Sequence, residues 1–253
     1  FKSKFVNTFN EISKLVKASY LTVILTGAGI STESGLPDFR SNNGFWTKNK
    51  PIQFNEFLLN AEKQRLSWER NIELHSLLKN IKPNIGHAFV EKITGLQKNN
   101  FLITQNIDGL HQKSGIPKNK IIEIHGSAIE AACLECQAEQ NILDFHNAIK
   151  SKAPLPKCNF CGGIVKVATI SFGQPMNEMN MMHASKIVEE SDLMIVMGSS
   201  LKVMPAGKLP NLAMQSGSKL IILNREKTRY DQSADIVISD ELQNICSKLL
   251  EKL

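Results

Sequence analysis

No run of about 18 consecutive apolar residues occurs in the chain, which excludes a membrane-spanning helix within it. The N-terminal stretch lacks a basic-then-apolar pattern closed by small residues, the mark of a secretory signal. There is no Lys/Arg block either. The 30 basic residues stand singly against 24 acidic ones, so the net charge of +6 reads as a solvated surface rather than a stripe for nucleic acid. Internal repeats and low-complexity tracts are also missing. Cysteine is sparse and odd in number, five in 253 residues, which argues against a disulfide framework. These absences lead us to expect a soluble intracellular protein with no membrane partner, and a cytoplasmic setting is favoured. Because the chain opens at Phe1 and not at Met, a trimmed leader and a mitochondrial-matrix setting stay open.

With 42% hydrophobic residues, a chain of this length can bury one sizeable core plus a small appendage that needs its own support. Phe5, Val6, Phe9, Ile12, Leu15 and Val16 recur at helical spacing, and a β-branched apolar run, residues 22–26, follows. Similar short runs return at 101–104, 121–124, 193–197, 220–223 and 236–238, mostly separated by helix-length segments such as 177–190 and 241–250. That alternation predicts an α/β fold built on a doubly wound parallel sheet. Two stretches break the rhythm: 51–82 looks wholly helical, and 126–167 carries two Cys pairs, Pro154, Pro156, Gly162 and Gly163 with little core. The expected division is therefore a discontinuous sheet domain (1–50, 83–125 and 168–253) and a small domain made of the two insertions.

Cys133-x-x-Cys136 and Cys158-x-x-Cys161 lie 21 residues apart, the spacing at which two knuckles of a ribbon bring four thiolates around one tetrahedral zinc. Four protein thiolates leave no coordination position for a substrate, so the expected ion is structural and replaces the core that a short insertion cannot build. Cys246 lies in an apolar C-terminal helix and reads as a small core residue.

Gly27-Ala28-Gly29-Ile30-Ser31 follows directly on the first strand, where backbone amides of a tight turn can approach a pyrophosphate. Thr32 stands where a dinucleotide fingerprint has its third glycine. After the next strand no acidic residue stands where a dehydrogenase would hold the ribose, so hydride transfer is disfavoured. Asp38, Phe39 and Arg40 follow in a run with little capacity for core, as a lid over a ligand would. Gln105-Asn106-Ile107-Asp108 places amide and carboxylate groups at the carboxyl edge of the sheet, where α/β proteins bind ligands. His125-Gly126 ends the next strand at that edge, and an imidazole there has the chemistry of a general base near neutral pH. His75, His87, His146 and His183 read as structural.

In this order the glycine loop, Gly35-Leu36-Pro37-Asp38-Phe39-Arg40, Gln105-Asn106-Ile107-Asp108, His125-Gly126, the four Cys, Phe172-Gly173 and Gly198-Ser199-Ser200 resemble the sirtuin family over essentially the whole chain. The resemblance implies a Rossmann-like NAD-binding domain, a zinc-ribbon and helical small domain, and acylated protein or peptide substrates meeting NAD in the cleft between them. It implies that nicotinamide sits near Ala28, Asp38, Phe39, Ile107 and Asp108, and that Gln105 and Asn106 contact the ribose. Gly198, Ser199 and Ser200 would line the phosphate and ribose side, and Asn224, Arg225 and Glu226 would reach the adenosine. The family's chemistry has the acyl oxygen attack the anomeric carbon as nicotinamide leaves. His125 then acts as base on the ribose hydroxyls, and the 2'-oxygen captures the acyl carbon to give free lysine and O-acyl-ADP-ribose.

Lys50-Pro51-Ile52-Gln53 through Trp68-Glu69-Arg70-Asn71, with Thr228-Arg229-x-Asp231, resembles the sirtuin class that includes one mitochondrial member and many bacterial ones. Members preferring malonyl and succinyl groups carry Tyr-x-x-Arg in the helical module; here Tyr20 and Tyr230 are the only tyrosines and lie outside it. The family usually reads Lys/Arg-Pro-Asp-Val-Val-x-Phe-Gly-Glu where this chain has residues 166–174, Lys-Val-Ala-Thr-Ile-Ser-Phe-Gly-Gln, so both carboxylates are lost from the segment that pairs with substrate. Two other readings stay open: a mono-ADP-ribosyltransferase using the same site, and a noncatalytic zinc-ribbon module that binds NAD as a ligand.

Overall fold

The computed structural model describes residues 2–36 and 50–253, with side chains from Asn7 onward in the first helix. Asp38, Phe39 and Arg40, and the side chains of Phe5 and Val6, lie outside the described residues. The helix Lys2–Ala18 buries Phe9, Ile12 and Val16 and leads into β1 (Thr22–Thr26). With β2 (Phe101–Thr104), β3 (Ile121–Glu123), β7 (Leu193–Met197), β8 (Lys219–Leu223) and β9 (Ile236–Ile238) it forms a parallel sheet ordered β3-β2-β1-β7-β8-β9. β1 and β7 are buried along their whole length because helices cover both faces, which is why these strands read as apolar runs without alternation. One face packs Ile24, Leu102, Ile195 and Ile221 against the first helix, Ile85–Leu96 and Leu242–Leu250; Cys246 is fully buried there, as expected. The other packs Val23, Leu25, Val196 and Ile222 against Glu178–Glu190 and Leu209–Gln215.

The expected strand at 121–124 stops one residue earlier, at Glu123. The link from β8 to β9 holds no helix. Residues 224–235 have no apolar period from which to build one. They fold instead around Asp231, whose carboxylate accepts the Thr228 amide (3.1 Å) and hydroxyl (2.5 Å). No helix among the described residues is long and apolar enough to cross a membrane.

The two insertions meet. β4 (Gly126–Cys133), β5 (Glu139–Gln140) and β6 (Val165–Thr169) form a small antiparallel sheet ordered β5-β4-β6. The helices Phe54–Leu59 and Ala61–Asn80 come from the first insertion, and Ile142–Lys150 from the second. Trp68 stacks on Phe145 with ring centroids 4.5 Å apart, inside a buried cluster with Ala131, Ile142, Val165 and Val167. The second insertion thus has more core than its sequence suggests, because the first one supplies the tryptophan. Asn71 adds a polar tie, donating to the Ala128 carbonyl at 2.9 Å and lying 2.7 Å from His146 Nε2.

The carboxyl ends of β1 and β7 approach backbone to backbone. Gly27 donates its amide to Met197 O (3.1 Å) and Gly29 to Gly198 O (2.8 Å). A Cβ on Gly29 would lie 2.8 Å from Gly198 O, and one on Gly198, whose φ is +62°, would lie 2.4 Å from the Ile30 nitrogen. Gly198→Ala therefore combines a left-handed backbone penalty with an unrelievable backbone clash. We expect it to lower unfolding free energy by about 2–5 kcal/mol, measured by urea denaturation; a wild-type midpoint would refute the close-approach argument.

Candidate functional site

The strand order reverses between β1 and β7, and at such a switch point the loops leaving the carboxyl ends diverge and open a crevice. The glycine loop lines it as a short 3-10 turn, Ala28–Ile30. Ile30 points into the core, and its Cγ1 is the nearest atom to the space beside Gly86. The amides of Gly27 and Gly29 are already spent on β7, so these glycines serve strand approach and not phosphate binding through their own N–H groups.

Across the crevice, Gln105 donates its amide to Thr26 O at 2.9 Å and accepts the Ser199 hydroxyl on its side-chain oxygen at 2.5 Å. Asn106 is buried. Its side-chain amide donates to Gly27 O and Ser31 Oγ, each at 3.2 Å. The Asn106 Oδ1 atom is buried without a hydrogen-bond partner among the described residues. A buried acceptor left unsatisfied costs about 1–3 kcal/mol, so this atom awaits a donor, and a ribose hydroxyl is one. On this observation the site fits a dinucleotide.

Asp108 accepts the Ser31 hydroxyl at 2.7 Å and the Leu110 amide at 2.9 Å. Burial pushes its carboxyl above the usual range, while those two hydrogen bonds oppose the rise. Ile107 faces the small domain through its carbonyl, which accepts the Ala128 amide at 2.9 Å.

His125 stands at the junction of the two sheets, between β3 and β4. Its main-chain oxygen accepts the Ile170 amide at 2.9 Å, and its Nδ1 lies 2.9 Å from the Gln105 carbonyl. A carbonyl only accepts, so Nδ1 carries the proton and the lone pair of the neutral ring is on Nε2. The local fold thus sets the tautomer that a general base needs.

The expected residues do not all converge. Gln105, Asn106, Asp108, Ser31, Ser199 and the glycine loop are joined by hydrogen bonds, and His125 by its bond to Gln105. Asn224 ends β8 one strand further out and donates to Glu226 O at 2.7 Å. Arg225 is exposed and pairs with Glu241 at 3.2 Å, and Glu226 is exposed beside it. Thr32 turns its hydroxyl back onto Gly29 O. Ser200 is half-buried after Ser199.

Sequence reasoning missed Asn84, and it quoted Arg229 in a motif without giving it a role at the site. Asn84 caps the helix Ile85–Leu96 and donates to Ile30 O at 2.7 Å and Ser34 Oγ at 2.9 Å, bracing the glycine loop. An Asn ahead of an apolar-periodic run was a legible cap signal, but its reach to residue 30 was not. Arg229 donates to the carbonyl of Leu201, which has φ +56°, and so holds the loop after Gly198. Of the histidines read as structural, His75 and His146 pack edge to face at 5.0 Å, and His183 packs against Phe101.

The four Cys of the ribbon converge, with all sulfur atoms within 4.8 Å of one another. Cys133 and Cys161 are 3.5 Å apart, Cys136 and Cys158 3.6 Å. Thiolates on a tetrahedral zinc lie about 3.8 Å apart, given Zn–S bonds near 2.3 Å, so the donor set fits one zinc ion. The amides of Glu135 and Phe160 point at Cys133 and Cys158 sulfur, 3.4 Å each, as groups supporting thiolate charge do.

Residues 27–205 match the model of the Sir2 family. An NAD-dependent protein deacetylase of Thermodesulfovibrio yellowstonii is 37% identical over 97% of this chain and 96% of its own length. One from Bradyrhizobium diazoefficiens is 39% identical over 91% of each. Among solved structures, a Sir2 complex with p53 peptide and NAD+ superposes with a TM-score of 0.81 at 33% identity, covering 96% of this chain and 97% of that one. A Sir2 bound to acetylated peptide gives 0.82 at 31% identity, with coverage of 96% and 98%.

Zinc removal by a chelator, or Cys158→Ser, is expected to unfold the small sheet and abolish any activity that depends on it, with the large sheet still folded. Metal analysis of the intact protein should find about one zinc per chain; a metal-free but fully stable protein would overturn the ribbon assignment.

Proposed function

The chain belongs to the Sir2 family, and on that premise we propose that it is an NAD-dependent protein-lysine deacylase that moves an acyl group to ADP-ribose and releases nicotinamide. The observation that carries this reading is the His125 tautomer, fixed by the Gln105 carbonyl beside Asn106 and Asp108 at the switch point. NAD, when bound, supplies the ribose whose anomeric carbon accepts the acyl oxygen.

The residues have separate tasks in this reading. Asn106 orients the ribose through Oδ1, the acceptor left open. Asp108 and Ile107 border the nicotinamide pocket with Ala28. Gln105 links ribose recognition to the Gly198-Ser199-Ser200 loop through Ser199, and Asn224, Arg225 and Glu226 extend the site toward the adenosine. His125 takes a proton at Nε2 from a ribose hydroxyl. The Gln105 carbonyl then faces the positive ring and stabilises it.

Among the described residues β6 is an edge strand of the small sheet, and its side away from β4 offers backbone groups for a substrate peptide to add as a strand. We take the sheet domain (1–50, 83–125 and 168–253) as the NAD-binding part and the two insertions as the part that presents substrate. Four ribbon thiols kept for metal suit a reducing compartment, and the cytoplasm is our assignment.

The acyl pocket should prefer neutral groups. Arg70 is committed to Lys50 O at 2.8 Å and Arg65 to Ala153 O at 2.8 Å, while Tyr230 donates to Gly207 O far from the helical module. A terminal carboxylate left unpaired in an enclosed pocket costs several kcal/mol, about two or more orders of magnitude in specificity. Acetyl-lysine peptides should therefore exceed succinyl-lysine peptides in kcat/KM, and the reverse order would sink this assignment.

His125→Ala should keep the fold and much of the NAD affinity while deacylation falls by about two to four orders of magnitude. Exchange of labelled nicotinamide into NAD should persist in that variant, since nicotinamide leaves before the base is needed. Asp108→Ala should impair the exchange itself. O-acyl-ADP-ribose as product distinguishes deacylation from transfer of ADP-ribose to protein. Near wild-type turnover by His125→Ala would leave that residue a structural strand-end histidine.

A further inference from the structure

Two buried imidazoles behind the site take no part in the chemistry assigned above. His87 lies in the first turn of the helix Ile85–Leu96 and is fully buried; His111 follows Asp108 in the short helix Leu110–Lys113 and is 1% exposed. Their ring centroids are 4.9 Å apart, with planes tilted by 56°.

The surrounding hydrogen bonds fix the tautomer of His111 and tie His87 to Asn84. Thr26 Oγ1 gives its one proton to Thr104 Oγ1 at 2.8 Å, so in its 2.9 Å contact with His111 Nε2 it accepts. His111 therefore carries its proton on Nε2 and has a bare Nδ1. His87 Nδ1 lies 3.2 Å from the Asn84 main-chain amide, a donor, and 3.1 Å from Asn84 Oδ1, an acceptor, so this nitrogen is bonded to Asn84 in either tautomer. Among the described residues, the remaining ring nitrogens, His87 Nε2 and His111 Nδ1, are buried without a partner. His111 Nδ1 is an acceptor, and a buried water can donate to it and bond to His87 Nε2 in either of that ring's tautomers. Burial holds both rings neutral, with His87 lowered to about 4 and His111 well below its ordinary value, the latter also by the proximity of His87.

The two ends of this arrangement reach opposite walls of the crevice. At one end, Asn84 donates to Ile30 O and Ser34 Oγ in the glycine loop. At the other, Thr104 Oγ1 accepts the Asn106 amide at 3.0 Å. We propose that His87 and His111 are positioning residues, bridged from His87 Nε2 to His111 Nδ1 through one buried water that donates to Nδ1, and that this relay holds the glycine loop and the Asn106 segment in register. The catalytic consequence rests on the deacylase reading; the relay itself does not.

The test uses the full-length protein and two substitutions. His111→Leu removes the donor to Thr26, whereas His111→Gln can place an amide N–H where Nε2–H stood. In ligand-free wild type, 15N NMR of the imidazoles at neutral pH should show both rings neutral with the His111 proton on Nε2; a proton on His111 Nδ1, or a charged ring, overturns the relay whether or not any variant folds. Exchange of the Asn106 amide should quicken by roughly tenfold in His111→Leu and return toward wild type in His111→Gln, the scale expected for losing one member of a buried network. In nicotinamide release, kcat/KM for NAD should fall by roughly tenfold or more in the Leu variant, with KM for the acyl peptide unchanged and recovery in the Gln variant. A Gln variant as impaired as the Leu one, or a Leu variant with wild-type Asn106 exchange, overturns the proposal. If wild type releases no nicotinamide with acyl-lysine peptides, the deacylase reading fails, and the imidazole and amide measurements still decide the relay.

Discussion

The close passage of β1 and β7 at their carboxyl ends is the constraint on which the rest depends. Three glycines make it possible, because the Gly27 and Gly29 amides bond to the carbonyls of Met197 and Gly198 and Gly198 leaves room for the Ile30 nitrogen. With the strands so close, the loops that follow are forced apart, and the crevice opens where the strand order reverses. Every side chain assigned to the chemistry is referred to this point. Asn106 donates to Gly27 O, Gln105 accepts from Ser199, and Asp108 accepts from Ser31. A shift of the glycine contact would move all three together.

A second constraint acts on the small domain. Its sheet has few residues to bury, and the four thiolates and Trp68 make up the deficit from two directions. The ribbon sulfurs converge at metal-ligand spacing, while the helix Ala61–Asn80 delivers an indole to stack on Phe145. The result steadies β6, which pairs with β4 at one edge of the small sheet. His125 sits between β3 of one sheet and β4 of the other, so its ring orientation reports on both domains.

Much of this was legible in the residues. The runs at 22–26, 101–104 and 193–197 become strands with those same bounds because a doubly covered parallel strand must be apolar throughout. The Cys pairs read as a metal site because ligand spacing is a local property. The glycine loop was legible as a turn after the first strand, but the partners of two of its amides were not: Gly27 and Gly29 donate to Met197 O and Gly198 O, the first of these 170 residues away in the chain. No local pattern announces a partner so distant.

The histidines show the division most clearly. By itself the sequence determined which chemistry was available: an imidazole at a strand end, amides and a carboxylate at the next, four thiols in paired spacing, and alternating apolar segments to build a sheet. These follow from residue type and short-range spacing, which the chain carries along its length. Only the tertiary structure decided which of those groups act together. It gave His125 its tautomer through the carbonyl of Gln105, placed His87 against His111, and left Asn106 Oδ1 open. The reason is that a hydrogen bond is specified to within tenths of an ångström, and the atoms that meet that tolerance come from segments whose separation is set by the whole core.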